Sequence, residues 1–161
     1  MPELWDLYNT KRESTQMLHE RGKVIPAGFY HLCASAWIIN SKGQYLISQR
    51  HPGKEYPCFW ECTGGSAIAG ESSLQCAIRE VKEELGILLD SGTGKLIYQT
   101  RRDAQQDFYD VWLFRFDIPI DNLVFQRNEV IAAKWLNKNE IVSLQQELKL
   151  HPLINYLKYL D

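Results

Sequence analysis

A strong helix prediction with strands on either side most constrains the fold of this chain. Residues 72–85 carry apolar side chains at helical spacing, and four of them fall within about 60° of one another on a helical wheel. These four are Leu74, Ile78, Val81 and Leu85. Ser72 and Gln75 match a capping box, and Gly86 stands where the helix would end. Such a helix needs an apolar surface to pack against, which predicts a sheet beside it.

Segments rich in aromatic and β-branched residues lie on both sides of this helix and predict strands. They span residues 28–40, 44–50, 87–90, 95–102, 108–117 and 129–136. The first two predict one hairpin, and 95–102 with 108–117 predict a longer one. Residues 1–27 predict an N-terminal extension with a short hairpin joined across Asn9–Arg12, and 138–161 predict two C-terminal helices split before Pro152. We therefore expect a single α/β (α+β) domain over residues 1–161, with a mixed β-sheet sandwiched between α-helices.

The composition is typical of an ordinary soluble globular protein, with 45% hydrophobic and 24% charged residues in a chain of 161. A net charge of −2 gives no general reason to expect nucleic-acid or membrane binding. The four cysteines form no CxxC pair and no zinc-type spacing, which predicts buried free thiols in a reducing compartment. Because the first residues lack a signal-peptide pattern, we expect a cytoplasmic protein.

Three carboxylates share one face of the predicted helix, opposite its apolar stripe. Glu80, Glu83 and Glu84 fall within about 100° of one another on the wheel. Like charges at this spacing repel, and acids near a helix C-terminus are unfavourable against its dipole. A divalent cation would turn this repulsion into ligation, because Mg²⁺ prefers oxygen ligands. A solvated helix face is the alternative interpretation, and the carboxylates by themselves do not decide between the two.

The residues upstream of the helix favour the metal interpretation. In "TGGSAIAGES", residues 63–72, paired glycines let the backbone approach a ligand closely, and small residues keep the following loop flexible. Glu71 stands at the helix start, where a negative charge is favourable. If the loop packs against the helix, Glu71 lies near Arg79, and this pair would fix the loop beside the carboxylate face.

With these spacings the chain resembles the Nudix hydrolases. Their signature is Gly, five residues, Glu, seven residues, then Arg-Glu-apolar-any-Glu-Glu-any-Gly-apolar. The matching residues are Gly65, Glu71, Arg79, Glu80, Val81, Glu83, Glu84, Gly86 and Ile87. The match covers about a seventh of the chain, and the order of strands around it is also similar to the Nudix fold.

The resemblance implies a Mg²⁺- or Mn²⁺-dependent hydrolase of a nucleoside diphosphate linked to another group X. It implies Glu80 and Glu84 as direct metal ligands, Glu83 as a ligand or supporting catalytic residue, and the Gly64 carbonyl as a backbone ligand. Gly65, Glu71 and Gly86 would support the site, and Arg79 would belong to the catalytic set through its pair with Glu71. Many family members add a later glutamate as ligand or general base. Glu129 is the candidate here, with Asp107 and Asp110 as alternatives.

Basic and aromatic residues are candidates for binding a small-molecule nucleotide or diphosphate substrate. Arg50 and Lys54, with His51 between them, could hold phosphates, and an exposed basic loop is the alternative. Trp60 and Tyr109, with Phe59 and Trp112, could stack on a base, although strand aromatics also commonly belong to the core. Arg101 and Arg102 predict a solvated hairpin tip. A homodimer through the N-terminal segment or the long hairpin is also conceivable.

Two alternatives to a hydrolase remain open from the sequence. "WDLYN…HERG" and "YHLCASAWIINSKGQYLISQR", with His31 and residues 128–130, resemble the Nudix branch related to isopentenyl diphosphate isomerases. Those isomerases need a catalytic cysteine and a metal-binding histidine where this chain has Gly64 and Ser66, and Cys62 lies two positions too early. A Nudix fold kept as a non-catalytic, nucleotide-binding regulatory module is the other alternative, although none of the motif carboxylates is missing.

Overall fold

The computed structural model describes all residues, 1–161, and contains nine strands and two α-helices. The strands are β1 Leu4–Tyr8, β2 Ser14–Glu20, β3 His31–Ile39, β4 Tyr45–Arg50, β5 Trp60–Glu61, β6 Thr63–Ser66, β7 Lys95–Arg102, β8 Asp107–Arg115 and β9 Val130–Leu136. The helices are α1 Ser73–Leu85 and α2 Lys138–Gln146. None of the helices combines the length and apolarity needed to span a lipid bilayer.

A mixed seven-stranded sheet forms the centre of the fold. Its main order is β5-β4-β3-β8-β7, with β6 also pairing with β3 and β9 with β4. β3 and β8 run parallel over nine residue pairs, from His31 opposite Asp107 to Ile39 opposite Arg115. The remaining pairings in this sheet are antiparallel. The expectation of a mixed sheet between helices is confirmed.

Two apolar layers cover the two faces of the sheet. Side chains of β3 alternate between them: Ala34, Ala36 and Ile38 face α1, and Trp37 and Ile39 face α2 and the C-terminal residues. The predicted stripe of α1 lies on the first layer, where Val81 and Leu85 are fully buried. Because both faces of β3 are covered, the strand is apolar at nearly every position.

The predicted hairpin of β3 and β4 pairs only at its turn, through Ile39 and Tyr45. Beyond that point β4 pairs with β9 and β5, while β3 pairs with β6 and β8. The two strands therefore diverge, and the far end of β4 and the short strand β6 border the gap. The long hairpin of β7 and β8 and the N-terminal hairpin of β1 and β2 are both present as predicted.

Two local predictions are wrong. Residues 87–90 do not form a strand, since Ile87 is buried in the first layer, Leu88 is exposed, and the segment pairs with no neighbouring strand. The second C-terminal helix is reduced to a 3-10 turn at Leu157–Tyr159. Backbone hydrogen bonds from Trp60 N to Lys149 O and from His151 N to Trp60 O, both 2.8 Å, hold residues 149–151 extended against β5. The helical spacing of the last residues therefore gives only this single turn.

Candidate active site

Helix α1 begins and ends where its sequence predicts. The Ser72 hydroxyl accepts from Gln75 N at 3.2 Å, and the Gln75 side chain accepts from Ser72 N at 2.9 Å, which forms the capping box. Gly86 ends the helix with a left-handed φ of 72°. These signals set the rotation of the helix about its axis, so that the carboxylate face turns away from the core.

Arg79 and Glu71 form the predicted pair between helix and loop. Arg79 Nε donates to one Glu71 oxygen at 2.6 Å, and Nη2 donates to the other at 3.1 Å. Nη2 also donates to the Ser66 carbonyl at 3.0 Å, and Glu71 in turn accepts from Ile68 N at 3.0 Å. The two ends of the loop at residues 66–71 are therefore fixed against α1, beside the carboxylates.

The three helix carboxylates differ in burial and in hydrogen bonding. Arg79 Nη1 donates to Glu80 at 2.7 Å and to Glu83 at 3.1 Å. Glu84 is only 5% exposed, and its carboxylate forms no hydrogen bond or ion pair with the protein. Burial, with Glu61 and Glu80 nearby, raises the pKa of Glu84 to about 8, and burial likewise raises the pKa of Glu80. Glu84 lines the cavity without a hydrogen-bond donor of its own, which makes this position suited to a cation.

Two glycines let the backbone of β6 approach these carboxylates closely. A Cβ at Gly65 would lie 2.5 Å from Glu80 Oε1, and a Cβ at Gly64 would collide with the Ser35 hydroxyl. Neither position has room for a side chain, so β6 lies close to Glu80 at Gly65 and close to β3 at Gly64.

One polar cavity of about 390 Å³ brings most of the predicted site residues together. Its wall includes Gly64, Gly65, Arg79, Glu80, Glu83 and Glu84. Carboxylate oxygens and a peptide carbonyl are the donor set that Mg²⁺ and Mn²⁺ prefer, so the residues present fit the implied cation. Arg50, Lys54 and Glu129 line the same cavity, as the sequence predicts for phosphate-binding and general-base candidates.

The basic side chains of this cavity form ion pairs with acidic partners. Arg50 Nη1 lies 2.9 Å from both Glu61 oxygens, and its Nε donates to the Glu55 carbonyl at 2.8 Å. Lys54 pairs with Glu129, and burial lowers the pKa of Lys54. Arg50 does not belong to a merely solvated basic loop, because its side chain is only 14% exposed.

A second cavity of about 170 Å³ adjoins the first and shares Gly65 and Ser66 with it. Its wall includes Glu61, Arg102, Tyr109, His151 and Ile154. Tyr109 is 6% exposed and donates to Ser35 at 2.8 Å, so it lies in the cavity wall as a largely buried core residue.

The other aromatic candidates do not reach the carboxylates. Trp60 lies outside both cavities, and Lys134 Nζ lies 4.1 Å from the centre of its ring. Phe59 borders a separate cleft near Pro152. Trp112 packs on the first core layer and donates to Ser73 at 3.1 Å.

The alternative acids, Asp107 and Asp110, lie outside the carboxylate cavity. Asp107 pairs with Arg102 at 2.6 Å, and Asp110 pairs with Arg12 at 2.5 Å. Arg102 is therefore half-buried, against the prediction of a solvated hairpin tip, and its guanidinium also covers the Tyr109 ring at 3.9 Å. Arg101 is more exposed and pairs with Asp103.

His31 lies apart from the carboxylates, on the other side of β6. Its ring stacks on Trp5 at 4.1 Å, and its ligand atoms lie within 4.8 Å of those of Cys33 and Asp107. Burial lowers the pKa of His31 to about 4. The Asp107 carboxylate of this group is already neutralised by Arg102.

The cysteines are unpaired, as predicted, but they are not uniformly buried. Cys62 and Cys76 are buried, Cys33 is partly buried and Cys58 is exposed. Burial raises the pKa of Cys33 and of Cys62 to about 12, so both thiols are protonated at neutral pH.

The sequence patterns do not predict four acidic or polar residues that surround the site. Glu61 holds Arg50, while Glu3, Arg21 and Gln126 line the carboxylate cavity. Glu61 has one sequence signal, since it alternates with Trp60 and Cys62 just before the paired glycines. The others reach the cavity only through tertiary packing, for which a single sequence carries no pattern.

Comparison with known proteins identifies the family. The family model of the NUDIX domain matches residues 29–157. The chain belongs to the Nudix family. An uncharacterized Nudix hydrolase of Listeria monocytogenes, lmo0368, is 41% identical over 147 residues, which cover 89% of this chain and 85% of that protein. This Nudix hydrolase is also 29% identical over 105 residues to the CTP pyrophosphohydrolase of Escherichia coli, covering 65% of this chain and 75% of that protein.

The fold of the Nudix hydrolase matches that of a solved relative over nearly its whole length. The crystal structure of DR0079 from Deinococcus radiodurans superposes with a TM-score of 0.79 at 23% identity, covering 98% of this chain and 99% of that one. The N-terminal hairpin is therefore within the region of structural similarity, although it precedes the matched NUDIX segment.

Proposed function

We propose that this Nudix hydrolase cleaves the diphosphate linkage of a nucleoside diphosphate joined to another group, with Mg²⁺ or Mn²⁺ as cofactor. Hydrolysis of a pyrophosphate bond is the general activity of its family. The observation that carries the proposal is the largely buried carboxylate of Glu84, which accepts no hydrogen bond from the protein and lies beside Glu80 in the wall of a polar cavity. Since these carboxylates repel one another and burial disfavours their charged form, this arrangement favours a bound divalent cation.

Glu80 and Glu84 would hold the cation, with the Gly64 carbonyl as a backbone ligand and Glu83 as a further ligand or support. When bound, the cation supplies charge neutralisation for the diphosphate and a lower pKa for the attacking water. Arg79 spans Glu71, Glu80 and Glu83, so it keeps the carboxylate oxygens at fixed positions before any ligand arrives. The chain thus provides a preformed site rather than one assembled by the substrate.

Glu129 is the proposed general base, because it lines the same cavity as the helix carboxylates. Lys54 pairs with it, and the backbone bond from His51 N to Glu129 O at 2.9 Å ties the two loops together. A carboxylate held in this way can accept the proton of the attacking water. Arg50 and Lys54 supply positive charge for the diphosphate at the same wall.

The second cavity is the proposed site for part of the remaining substrate, since Gly65 and Ser66 line both cavities. Its volume of about 170 Å³ suits one ring or a short side chain rather than a whole nucleoside. The printed activity of the Escherichia coli relative, CTP pyrophosphohydrolysis, supports a nucleotide substrate.

The two alternatives have less support. Gly64 and Ser66 stand where the isomerases need cysteine and histidine, and the nearby Cys62 is 4% exposed with its pKa raised to about 12 by burial. A regulatory module without catalysis would have no need for the complete carboxylate set around Glu84.

The proposal is tested by a phosphate-release screen over nucleotide sugars, dinucleoside polyphosphates, NTPs, NADH and coenzyme A, with Mg²⁺ and with Mn²⁺. We expect turnover of at least one nucleoside diphosphate derivative, its abolition by EDTA, and a loss of at least about 10³-fold in Glu84→Gln. Glu147→Gln removes the same charge at an exposed position outside the cavity and should leave the rate unchanged. An unchanged rate in Glu84→Gln, or metal-independent turnover, would contradict the proposal.

A further inference from the structure

The N-terminal hairpin, defined as β1 and β2, contributes to the candidate active site although it precedes the NUDIX match at residues 29–157. The open end of the hairpin reaches the carboxylate cavity, where Glu3 and Arg21 line the wall together with Glu80, Glu83 and Glu84. Part of this wall therefore comes from a segment that the family match does not include.

The hairpin is firmly held against the domain. Arg12 forms a bidentate pair with Asp110, at 2.7 and 2.5 Å, and the Asp110 side chain is 2% exposed. Two backbone bonds, 2.8 and 2.9 Å long, join Tyr8 and Tyr30. The Trp5 ring stacks on His31 with 9° between the ring planes. The position of Arg21 is therefore set by the fold, not by a loose terminus.

The same hairpin holds the loop that leads into α1. The Leu4 carbonyl accepts from Ala69 N at 2.8 Å, and the Asp6 carboxylate accepts from Gly70 N at 2.7 Å. The next residue, Glu71, is the partner of Arg79. The hairpin thus contacts both the wall of the cavity and the loop that fixes its carboxylate face.

Arg21 differs from the other cations of the cavity in how it is paired. Arg50, Lys54 and Arg79 have side chains 14–25% exposed and hold carboxylates at short range. The Arg21 side chain is 63% exposed, and its pair with Glu3 has the longer separation of 3.2 Å. Exposed pairs of this kind contribute little stability, so a phosphate oxygen can replace Glu3 at low cost.

We propose that Arg21 is a substrate-binding residue that contacts a phosphate oxygen of the diphosphate substrate, with Glu3 as its partner when the site holds no substrate. This inference rests on the proposed function, since it assumes that the cavity receives a diphosphate. A guanidinium can bind two phosphate oxygens at once, and Arg21 Nε and Nη2 form no bond within the protein.

The test is calorimetric binding of imidodiphosphate, a diphosphate analogue with a P–N–P bridge, in the presence of Mg²⁺. We expect Arg21→Gln to bind about tenfold more weakly than wild type, and Arg21→Lys to fall between them. Lys23→Gln is the matched control, because it removes the same charge from a nearby exposed residue that does not line the cavity. Mn²⁺ affinity, measured separately, should not weaken in Arg21→Gln.

Equal imidodiphosphate affinity in Arg21→Gln and wild type would overturn the role of Arg21, and so would an equal loss in Lys23→Gln. Circular dichroism establishes that the variants are folded, which the exposure of Arg21 leads us to expect. Failure of wild type to bind Mn²⁺ would instead overturn the proposed function. The same comparison made without metal would then still decide whether Arg21 contacts the diphosphate.

Discussion

At the scale of single residues, the site depends on how closely Gly65 and Glu80 approach each other. The space that a side chain at Gly65 would need is occupied by the Glu80 carboxylate. The Gly65 backbone itself is not in the left-handed region, so the requirement for glycine comes from contact and not from conformation. The position of the Glu80 carboxylate, a proposed metal ligand, thus depends on the absence of a side chain at Gly65.

Gly65→Ala should therefore damage the site without unfolding the protein. Its Cβ would lie 2.5 Å from Glu80 Oε1, and the flexible glutamate would move aside. We expect kcat to fall by about 10²-fold, since displacement of a catalytic group by about 1 Å costs that much. The melting temperature, followed by circular dichroism, should change little, while Mn²⁺ affinity decreases.

Gly92→Ala is the control, because its Cβ would meet Asp90 at an ordinary distance of 3.5 Å, and Gly92 does not line the cavity. Wild-type kcat in Gly65→Ala would show that Glu80 does not need its present position.

At the scale of secondary-structure elements, α1 and the C-terminal segment show what a sequence pattern can predict. The apolar stripe, capping box and terminal glycine of α1 are all local signals, and each is present in the structure. The segment after Pro152 also has helical spacing, but residues 149–151 just before it bond non-locally to Trp60, and only a 3-10 turn at Leu157–Tyr159 follows. Local patterns predict elements well only where no distant strand competes for their backbone groups.

The N-terminal hairpin is an element whose docking depends on one buried ion pair. Arg12→Gln would leave the Asp110 carboxylate with Gln99, at 2.9 Å, as its remaining side-chain partner. We expect the free energy of unfolding to fall by about 3 kcal/mol, because removing one partner leaves a buried charge. Urea denaturation measures this difference.

Arg12→Gln combined with Asp110→Asn tests the cause of that loss. The double variant has no buried charge at this contact, so it should recover a large part of the stability lost in Arg12→Gln. If the losses of unfolding free energy in Arg12→Gln and in Asp110→Asn instead add in the double variant, the charge pair is not what holds the hairpin.

At the scale of the whole molecule, the fold brings four parts of the chain to one cavity: the hairpin end, the end of β4 with its loop, β6 with α1, and the loop before β9. The spacing of Gly65, Glu71 and the helix carboxylates predicts the central part, because those residues lie within one short stretch. Arg50 and Lys54, expected from their position after the second strand, and Glu129, expected from the resemblance to the family, also line the cavity. Glu3, Arg21 and Gln126 are not predicted, since their approach depends on how distant elements pack.

Stability of the molecule should depend on pH through its buried histidines. Burial lowers the pKa of His31 from 6.5 to about 4, with Arg102, His19 and Arg21 also disfavouring its charge and Asp107 favouring it. As the pH falls, the unfolded chain therefore binds a proton at His31 before the folded chain does. Stability from the neutral ring is present above pH 6.5 and is lost as the pH falls to about 4, by up to about 3 kcal/mol.

The measurement is the difference in unfolding free energy between wild type and His31→Gln at several pH values. A difference is needed because Glu84, whose pKa is raised, contributes stability in the opposite direction, lost as the pH rises to about 8. We expect the advantage of wild type to shrink between pH 6.5 and 4. His51→Gln, at a partly exposed ring that does not act on His31, is the control, and a pH-independent difference for His31→Gln would contradict the assignment.

The parallel pairing of β3 with β8 also sets the order in which the molecule can assemble during synthesis. β3 cannot complete its longest pairing until β8 has left the ribosome, and Arg12 must wait for Asp110, 98 residues later. At a translation rate of about 5–20 residues per second, the hairpin spends several seconds without its partners. Its exposed Met17 and Leu18 add to the apolar surface open to other chains in that interval. The segment that completes the wall of the cavity is thus translated well before the strand that holds it in place.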